Sequence, residues 1–262
     1  MKYEAGFIGA GNMGGALLRA VTKTSGGIAV FDTDAEKAFV LCEETGAIFT
    51  DAKDLFKNSK YIFMAVKPNI ISAVLKDANG SIGKDSVIVS MAAGVSVKDV
   101  KTASGFEKVI RIMPNTPCAV GEGMILYTPD PSVSEAEEKG FLSIMKCAGK
   151  LDKIEEKYID AAAAVSGCGP AFVYMFIEAL ADGAVACGLP RDKALDYAKQ
   201  TVLGSATLAI ESKKHPGQLK DDVCSPGGTT IEGVLALEDG AFRAAAASAV
   251  IAEYEKKAQL KK

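Results

Sequence analysis

Two stretches of the chain combine glycine with groups able to hold an anion. Gly9-Ala10-Gly11-Asn12-Met13-Gly14 follows the apolar segment Ala5-Gly6-Phe7-Ile8 and precedes a helix-periodic run carrying Ala16, Leu17, Ala20 and Val21. This is the spacing of a dinucleotide-binding turn. The first glycine permits the tight turn, the second admits a pyrophosphate close to the backbone, and the third lets helix and strand pack together. Much further along, Ser225-Pro226-Gly227-Gly228-Thr229-Thr230 stands immediately before the apolar run Ile231, Val234, Leu235 and Leu237. A helix starting there, with that run as its buried face, presents unpaired N–H groups to an anion. The same residues also fit a plain helix cap preceded by a Pro-Gly turn.

Around the first glycine turn the sequence supplies the rest of a nucleotide cleft. Ile28-Ala29-Val30-Phe31 reads as a second strand ending at Asp32. A carboxylate there accepts hydrogen bonds from an adenosine ribose and repels a 2′-phosphate, which taken alone favours NADH over NADPH. Asp32 also suits the cap of a helix starting near Ala35, as Thr33 and Asp34 do. Three more strand candidates follow: Tyr61 to Val66 running into Lys67-Pro68, Ser86 to Met91 into Ala92-Ala93-Gly94, and Lys108 to Met113 into Pro114-Asn115-Thr116-Pro117. Near-continuous apolar strands separated by helical segments predict a parallel, doubly wound sheet whose strand ends line one cleft. The Asn115 amide suits a nicotinamide or a polar substrate group, and Lys67 a cofactor phosphate; the prolines read equally as strand terminators.

Composition narrows the function classes. In 262 residues, 30 basic side chains nearly balance 33 acidic ones, and the only basic pairs near the end are Lys256-Lys257 and Lys261-Lys262. Nucleic acid and membrane surface are therefore not expected as partners. No run approaches the ~18 uninterrupted apolar residues of a membrane span, and no signal peptide opens the chain, so a cytoplasmic protein is expected. Six cysteines without a Cys-x-x-Cys pair, and the single histidine His215, argue against zinc, disulfides and thiol redox chemistry. No metal site is expected, and the thiols read as small apolar fillers.

Gly123 to Tyr127 reads as a last strand, and Ser134-Glu135-Ala136-Glu137 as a capping box opening a helix that ends near Gly149. From Glu155 strand-like runs cease and alanine-rich helical periodicity takes over. The expected domains are 1–154, a dinucleotide-binding unit, and 155–262, a helical unit. Ser166-Gly167-Cys168-Gly169-Pro170 should interrupt a long helix that resumes through Ala171, Phe172, Met175 and Phe176 to Ala184. A further helix over about Lys193 to Ser212, a turn at His215-Pro216-Gly217 and a last helix from about Gly240 complete the chain. So few helices cannot cover their own apolar faces, which points to dimerisation through this half.

Five separated motifs, Gly9 to Gly14, Ala65-Val66-Lys67-Pro68, Met113 to Pro117, Gly167 to Ala171 and Ser225 to Thr230, stand in an order and spacing that resemble the pyrroline-5-carboxylate reductase family. The first is generic; the last two together are specific, and the resemblance covers nearly the whole chain. It implies an α/β fold with an N-terminal Rossmann-type, mostly parallel sheet and a C-terminal all-α dimerisation domain, assembled as a homodimer and in some members as rings of dimers. It implies reduction of 1-pyrroline-5-carboxylate to L-proline with NADPH or NADH. The cofactor would be bound by Gly9, Gly11, Asn12, Met13, Gly14, Asp32, Ala65, Val66, Lys67, Pro68 and Asn115. The substrate carboxylate would fall to Ser225, Gly228, Thr229 and Thr230, with the Thr230 hydroxyl near the ring nitrogen as the catalytic group. Two positions depart from the family pattern: Cys168 stands where serine is more frequent, and Phe172 where tyrosine is usual. The alternatives are a reductase of another cyclic imine or of a hydroxy acid on the same fold, and a non-catalytic nicotinamide-sensing module.

Overall fold

The computed structural model describes residues 1–260. The chain divides into two compact units, one of residues 1–168 joined by the end of the chain from Tyr254, the other of Gly169–Glu253.

The first unit alternates strands and helices: β1 (Tyr3–Ile8), α1 (Asn12–Val21), β2 (Ile28–Phe31), α2 (Ala35–Thr45), β3 (Ile48–Phe49), α3 (Ala52–Asn58), β4 (Ser59–Met64), α4 (Pro68–Asp77), β5 (Val87–Ser90), α5 (Val97–Ser104), β6 (Val109–Met113), β7 (Gly123–Pro129), α6 (Glu135–Met145), β8 (Gly149–Lys153) and α7 (Ile159–Ser166). The sheet order is β3-β2-β1-β4-β5-β6-β7-β8. All pairs from β3 to β6 are parallel, whereas β7 runs antiparallel to β6 and β8 parallel to β7. The order reverses between β1 and β4, and that switch point opens a crevice beyond the strand ends.

Alternation along the strands sends side chains into two cores. Phe7, Tyr61 and Phe63 join Leu17, Leu18, Leu41 and Phe141 on one face, with the Phe7 and Phe63 rings stacked 4.5 Å apart. Ile8, Ile62 and Met64 join Leu55, Phe56, Ile71, Leu75 and Val100 on the other. Each fully buried side chain of this size contributes roughly 1.5–3 kcal/mol, so both faces hold the strand ends rigidly. Helix starts follow local chemistry. Asp34 caps α2 by accepting from the Lys37 N–H, and reciprocal Ser96/Asp99 and Ser134/Glu137 boxes open α5 and α6. Burial pushes the Cys118 thiol up to about 11, which leaves it the inert filler expected.

Two strands go beyond the sequence expectation. The helix opened by Ser134 stops at Met145, and Gly149–Lys153 pairs with β7 as an edge strand. Lys150, Asp152 and Lys153 give it the charged character of an edge and leave it without an apolar run. The two-residue strand β3 closes the opposite edge. The compact-unit boundary lies at Gly169, because α7 packs Ile159 and Ala163 against Met113 and Leu126 of the sheet.

The second unit contains α8 (Gly169–Ala186), α9 (Arg191–Ser212), α10 (Pro216–Val223), α11 (Thr229–Asp239) and most of α12 (Phe242–Leu260). The interruption expected at Gly167-Cys168 separates α7 from α8, and the Cys168 N–H reaches back to the Ala163 carbonyl. The expected turn at His215 is instead the start of α10: His215 Nδ1 accepts from the Gly217 N–H and Pro216 occupies the first helical position. Within this unit the buried cluster is only Ala181, Ala194 and Ala198. With the part-buried Ile177, Val185, Leu189 and Leu195 packed against it, this is a small core for so many helices. Meanwhile Tyr174, Met175, Leu208, Ile210 and Val223 are exposed.

Candidate active site

The crevice at the switch point has a volume of about 540 Å³ and lies wholly in the first unit. Gly9 and Gly11 line it from the turn after β1, Asp32 and Thr33 from the end of β2, Ala65, Val66 and Lys67 from the end of β4, and Asn69 and Ile70 from the start of α4. The three glycines have separate jobs. Gly9 takes φ +110°, and a Cβ there would stand 2.5 Å from the Ala65 carbonyl oxygen. At Gly14 a Cβ would stand 2.3 Å from the Gly9 oxygen, so helix and strand touch there through bare backbone. A Cβ at Gly11 would meet no protein atom within 4 Å, at a position lining the crevice.

Gly11 caps α1 without a side-chain hydrogen bond, and no acid stands in the first turn. The N–H groups of Asn12, Met13 and Gly14 are left without backbone acceptors, which is the arrangement a pyrophosphate satisfies. The residues present therefore fit a dinucleotide. Lys67 precedes α4, with Pro68 at its first position, and its exposed side chain has no partner among the described residues. Asp32 is tied to the turn: Oδ2 accepts from the Ala10 N–H at 2.6 Å and Oδ1 from the Asp34 N–H at 2.9 Å. It does not cap α2, a task Asp34 performs. The Lys37 side chain and N–H in turn hold the Asp34 carboxyl below the usual range.

Asn115 is buried and committed to the fold. Its Nδ2 donates to the Ser166 carbonyl at 2.8 Å, and its Oδ1 accepts from the Met124 N–H at 2.9 Å. It braces the end of β6 against β7 and α7, so an orienting role toward a nicotinamide would have to use its remaining N–H. Arg111, which sequence reasoning passed over, braces the same region. It is buried and paired with Glu156 at 3.0 Å and Asp160 at 3.2 Å.

The second anion-holding stretch lies in the other unit. Gly227 takes φ +69°, and Gly228 caps α11 without a side-chain hydrogen bond. The Gly228 N–H closes the turn by donating to the Ser225 carbonyl at 3.0 Å, so it is not the free donor expected from sequence. The unpaired donors are the N–H groups of Thr229, Thr230 and Ile231, one position further along. The hydroxyls of Ser225, Thr229 and Thr230 make no hydrogen bond among the described residues. The expected buried face of α11 is also absent: no residue of this helix is buried, and Leu235 and Leu237 are exposed within the chain.

Comparison with known proteins places these features in a family. Residues 156–260 match the model described as pyrroline-5-carboxylate reductase dimerisation, and residues 4–94 match that described as NADP oxidoreductase coenzyme F420-dependent. The chain is 42% identical to the pyrroline-5-carboxylate reductase of Escherichia coli, with all of both chains covered. The chain belongs to the pyrroline-5-carboxylate reductase family. The pea (Pisum sativum) member is 39% identical over 99% of this chain and 96% of its own. The Plasmodium falciparum pyrroline carboxylate reductase, solved with NADP bound, superposes with a TM-score of 0.89 at 32% identity over all of both chains. Family membership makes the helical half a dimerisation domain, which accounts for the apolar faces that the single chain leaves uncovered.

Proposed function

We propose that the chain reduces the cyclic imine 1-pyrroline-5-carboxylate to L-proline, the last step of proline biosynthesis, as a cytoplasmic homodimer using NADH or NADPH. The carrying observation is the start of α11, where three unpaired N–H groups and the free hydroxyls of Ser225, Thr229 and Thr230 stand together. A sensor of the nucleotide alone has no use for such a second anion cradle. The bound nicotinamide nucleotide supplies the hydride. The N–H groups of Thr229, Thr230 and Ile231, with Ser225, hold the substrate carboxylate, and Gly228 shapes the turn that aims them. The Thr230 hydroxyl faces the ring nitrogen and steers its proton. A cyclic imine is basic enough to be protonated by water, so positioning and exclusion of solvent carry most of the catalysis. On the cofactor side, Gly9, Gly11, Asp32, Ala65, Val66 and Lys67 line the crevice, the N–H groups of Asn12, Met13 and Gly14 receive the pyrophosphate, Pro68 opens α4 beside Lys67, and Asn115 reaches the nicotinamide end with its remaining N–H.

Purified protein mixed with pyrroline-5-carboxylate and NADH or NADPH tests the reading. Absorbance of the reduced nicotinamide should fall only when substrate is present, and failure with both cofactors would overturn the assignment. Gly228→Val addresses the cradle. A Cβ there stands 2.7 Å from Ser225 Oγ and 3.0 Å from the Ser225 carbonyl oxygen, so the turn must open. The expected result is a KM for substrate raised about tenfold or more, ~1.4 kcal/mol, with cofactor affinity retained. Loss of cofactor affinity alone would place the substrate elsewhere.

The stretch Glu156–Ala186 is long and apolar enough to cross a membrane by composition. We read its exposed face as dimer contact instead, because it is broken at Gly167-Cys168 and lies in the part matched to the dimerisation domain. No membrane or nucleic acid partner belongs to this reading. Light scattering distinguishes a dimer from a ring of dimers, and a monomer would remove the proposed role of the helical half.

A further inference from the structure

We infer that Asp32 makes this chain selective for NADH over NADPH, an inference that rests on the reductase reading for its cofactor class. The carboxylate stands at the carboxyl end of β2, on the wall of the crevice. In a doubly wound sheet this is the position that meets the adenosine ribose. Its orientation is fixed from two sides, by the Ala10 N–H at 2.6 Å and the Asp34 N–H at 2.9 Å. Each oxygen accepts one of these bonds and keeps acceptor capacity, since an ionised carboxylate offers about four lone-pair sites. A 2′-hydroxyl donates to such a group. A 2′-phosphate brings between about 1.5 and 2 negative charges to it and is mostly without a proton to donate at neutral pH.

The cations around Asp32 are matched to other carboxylates or stand across the crevice, although Lys37 also feels the Asp32 charge. Among the residues lining the crevice, Asp32 and Lys67 are the charged ones, and Lys67 follows β4, across β1 from the end of β2. Lys37, the nearest lysine on α2, is held by Asp34 Oδ2 at 2.8 Å. Arg19, on α1, is paired with Glu44 at 2.6 Å. Thr33 offers a hydroxyl at the rim but no charge. A 2′-phosphate would therefore meet Asp32, with Asp34 beside it, and could gain Lys37 only by drawing it from its pair with Asp34. Asp32 also ties the end of β2 to the glycine turn, so the residue that reads the ribose holds the pyrophosphate loop in place.

The test is titration of NADH and NADPH into substrate-free protein, followed by nicotinamide fluorescence, with kcat/KM for each cofactor measured alongside. NADH should bind at least about 30-fold more tightly than NADPH, which corresponds to ~2 kcal/mol. Asp32→Asn keeps an oxygen for one of the two backbone N–H groups while removing the charge. It should narrow the affinity ratio about tenfold or more, chiefly by tightening NADPH. Equal affinities in the wild type, or tighter NADPH, would overturn the inference. So would an Asp32→Asn protein in which both affinities fall together and the ratio stays, since that is the signature of a turn brace alone. If that variant does not fold, Asp34→Ser preserves a capping oxygen for α2 and releases Lys37. It should tighten NADPH about threefold or more and leave NADH within twofold, whereas an unchanged ratio would count against the electrostatic account. Selective binding of NADH without turnover of the imine would support the inference and overturn only the proposed reaction.

Discussion

Thr230→Ala should lower kcat about tenfold or more, a loss of at least ~1.4 kcal/mol of transition-state stabilisation. Thr230 is the second residue of α11, and its hydroxyl makes no hydrogen bond among the described residues, so the chain itself has no use for it. Alanine is the better helix former, so the substitution should leave α11 intact and the melting temperature unchanged or slightly raised. A fall in kcat with a nearly unchanged KM would mean that the hydroxyl acts in the transition state. A risen KM at constant kcat would move Thr230 to ground-state carboxylate binding instead. Thr230→Ser, which restores the hydroxyl without the methyl group, should recover most of the rate. Full activity in the alanine protein would remove Thr230 from the mechanism.

At the other end of the chemistry, Gly11→Val should raise the Kd for either cofactor about 100-fold or more, ~2.7 kcal/mol, while the fold is retained. The backbone at Gly11 has φ −69°, which any residue adopts, and the added Cβ meets no protein atom. The added side chain stands in open space at the edge of the crevice that Gly11 lines, where a pyrophosphate would approach. Thermal stability without cofactor should fall by only about the ~1 kcal/mol that an apolar residue costs at a helix cap. Gly14→Val is the contrasting case. Its Cβ would collide with the Gly9 carbonyl oxygen at 2.3 Å and the Ala65 Cβ at 2.9 Å, so α1 must shift from the sheet and stability should fall by about 1–3 kcal/mol. Parallel behaviour of the two variants in calorimetry and cofactor titration would contradict the separate roles of these glycines.

The parallel core was legible because its strands are buried on both faces and read as unbroken apolar runs, from Phe7-Ile8 to Ile110 and Ile112. The Ser134 capping box and the break at Gly167-Cys168 were legible because one short segment contains all the chemistry each needs. The edge strand β8 escaped notice because its charged residues suit an edge, and α10 because a Pro-Gly pair opens a helix as readily as a turn. Within the nucleotide crevice, Thr33, Asn69 and Ile70 were missed although each lies just beyond a strand end that had been singled out.

Residue type and spacing alone determined the fold class, the glycine turn after β1 and the glycine-preceded start of α11, because each is local: a strand, a turn and a helix start contiguous in the chain. Tertiary structure alone decided which polar groups remain available. The Gly228 N–H is consumed by the Ser225 carbonyl and the Asn115 amide by Ser166 and Met124, while Asp32 is turned onto Ala10 and Asp34. Ile231 to Leu237, read as a buried face, is half-buried at Ile231 and Val234 and exposed at Leu235 and Leu237. A hydrogen bond or a burial is a relation between two places in space, and the sequence states only one of them at a time.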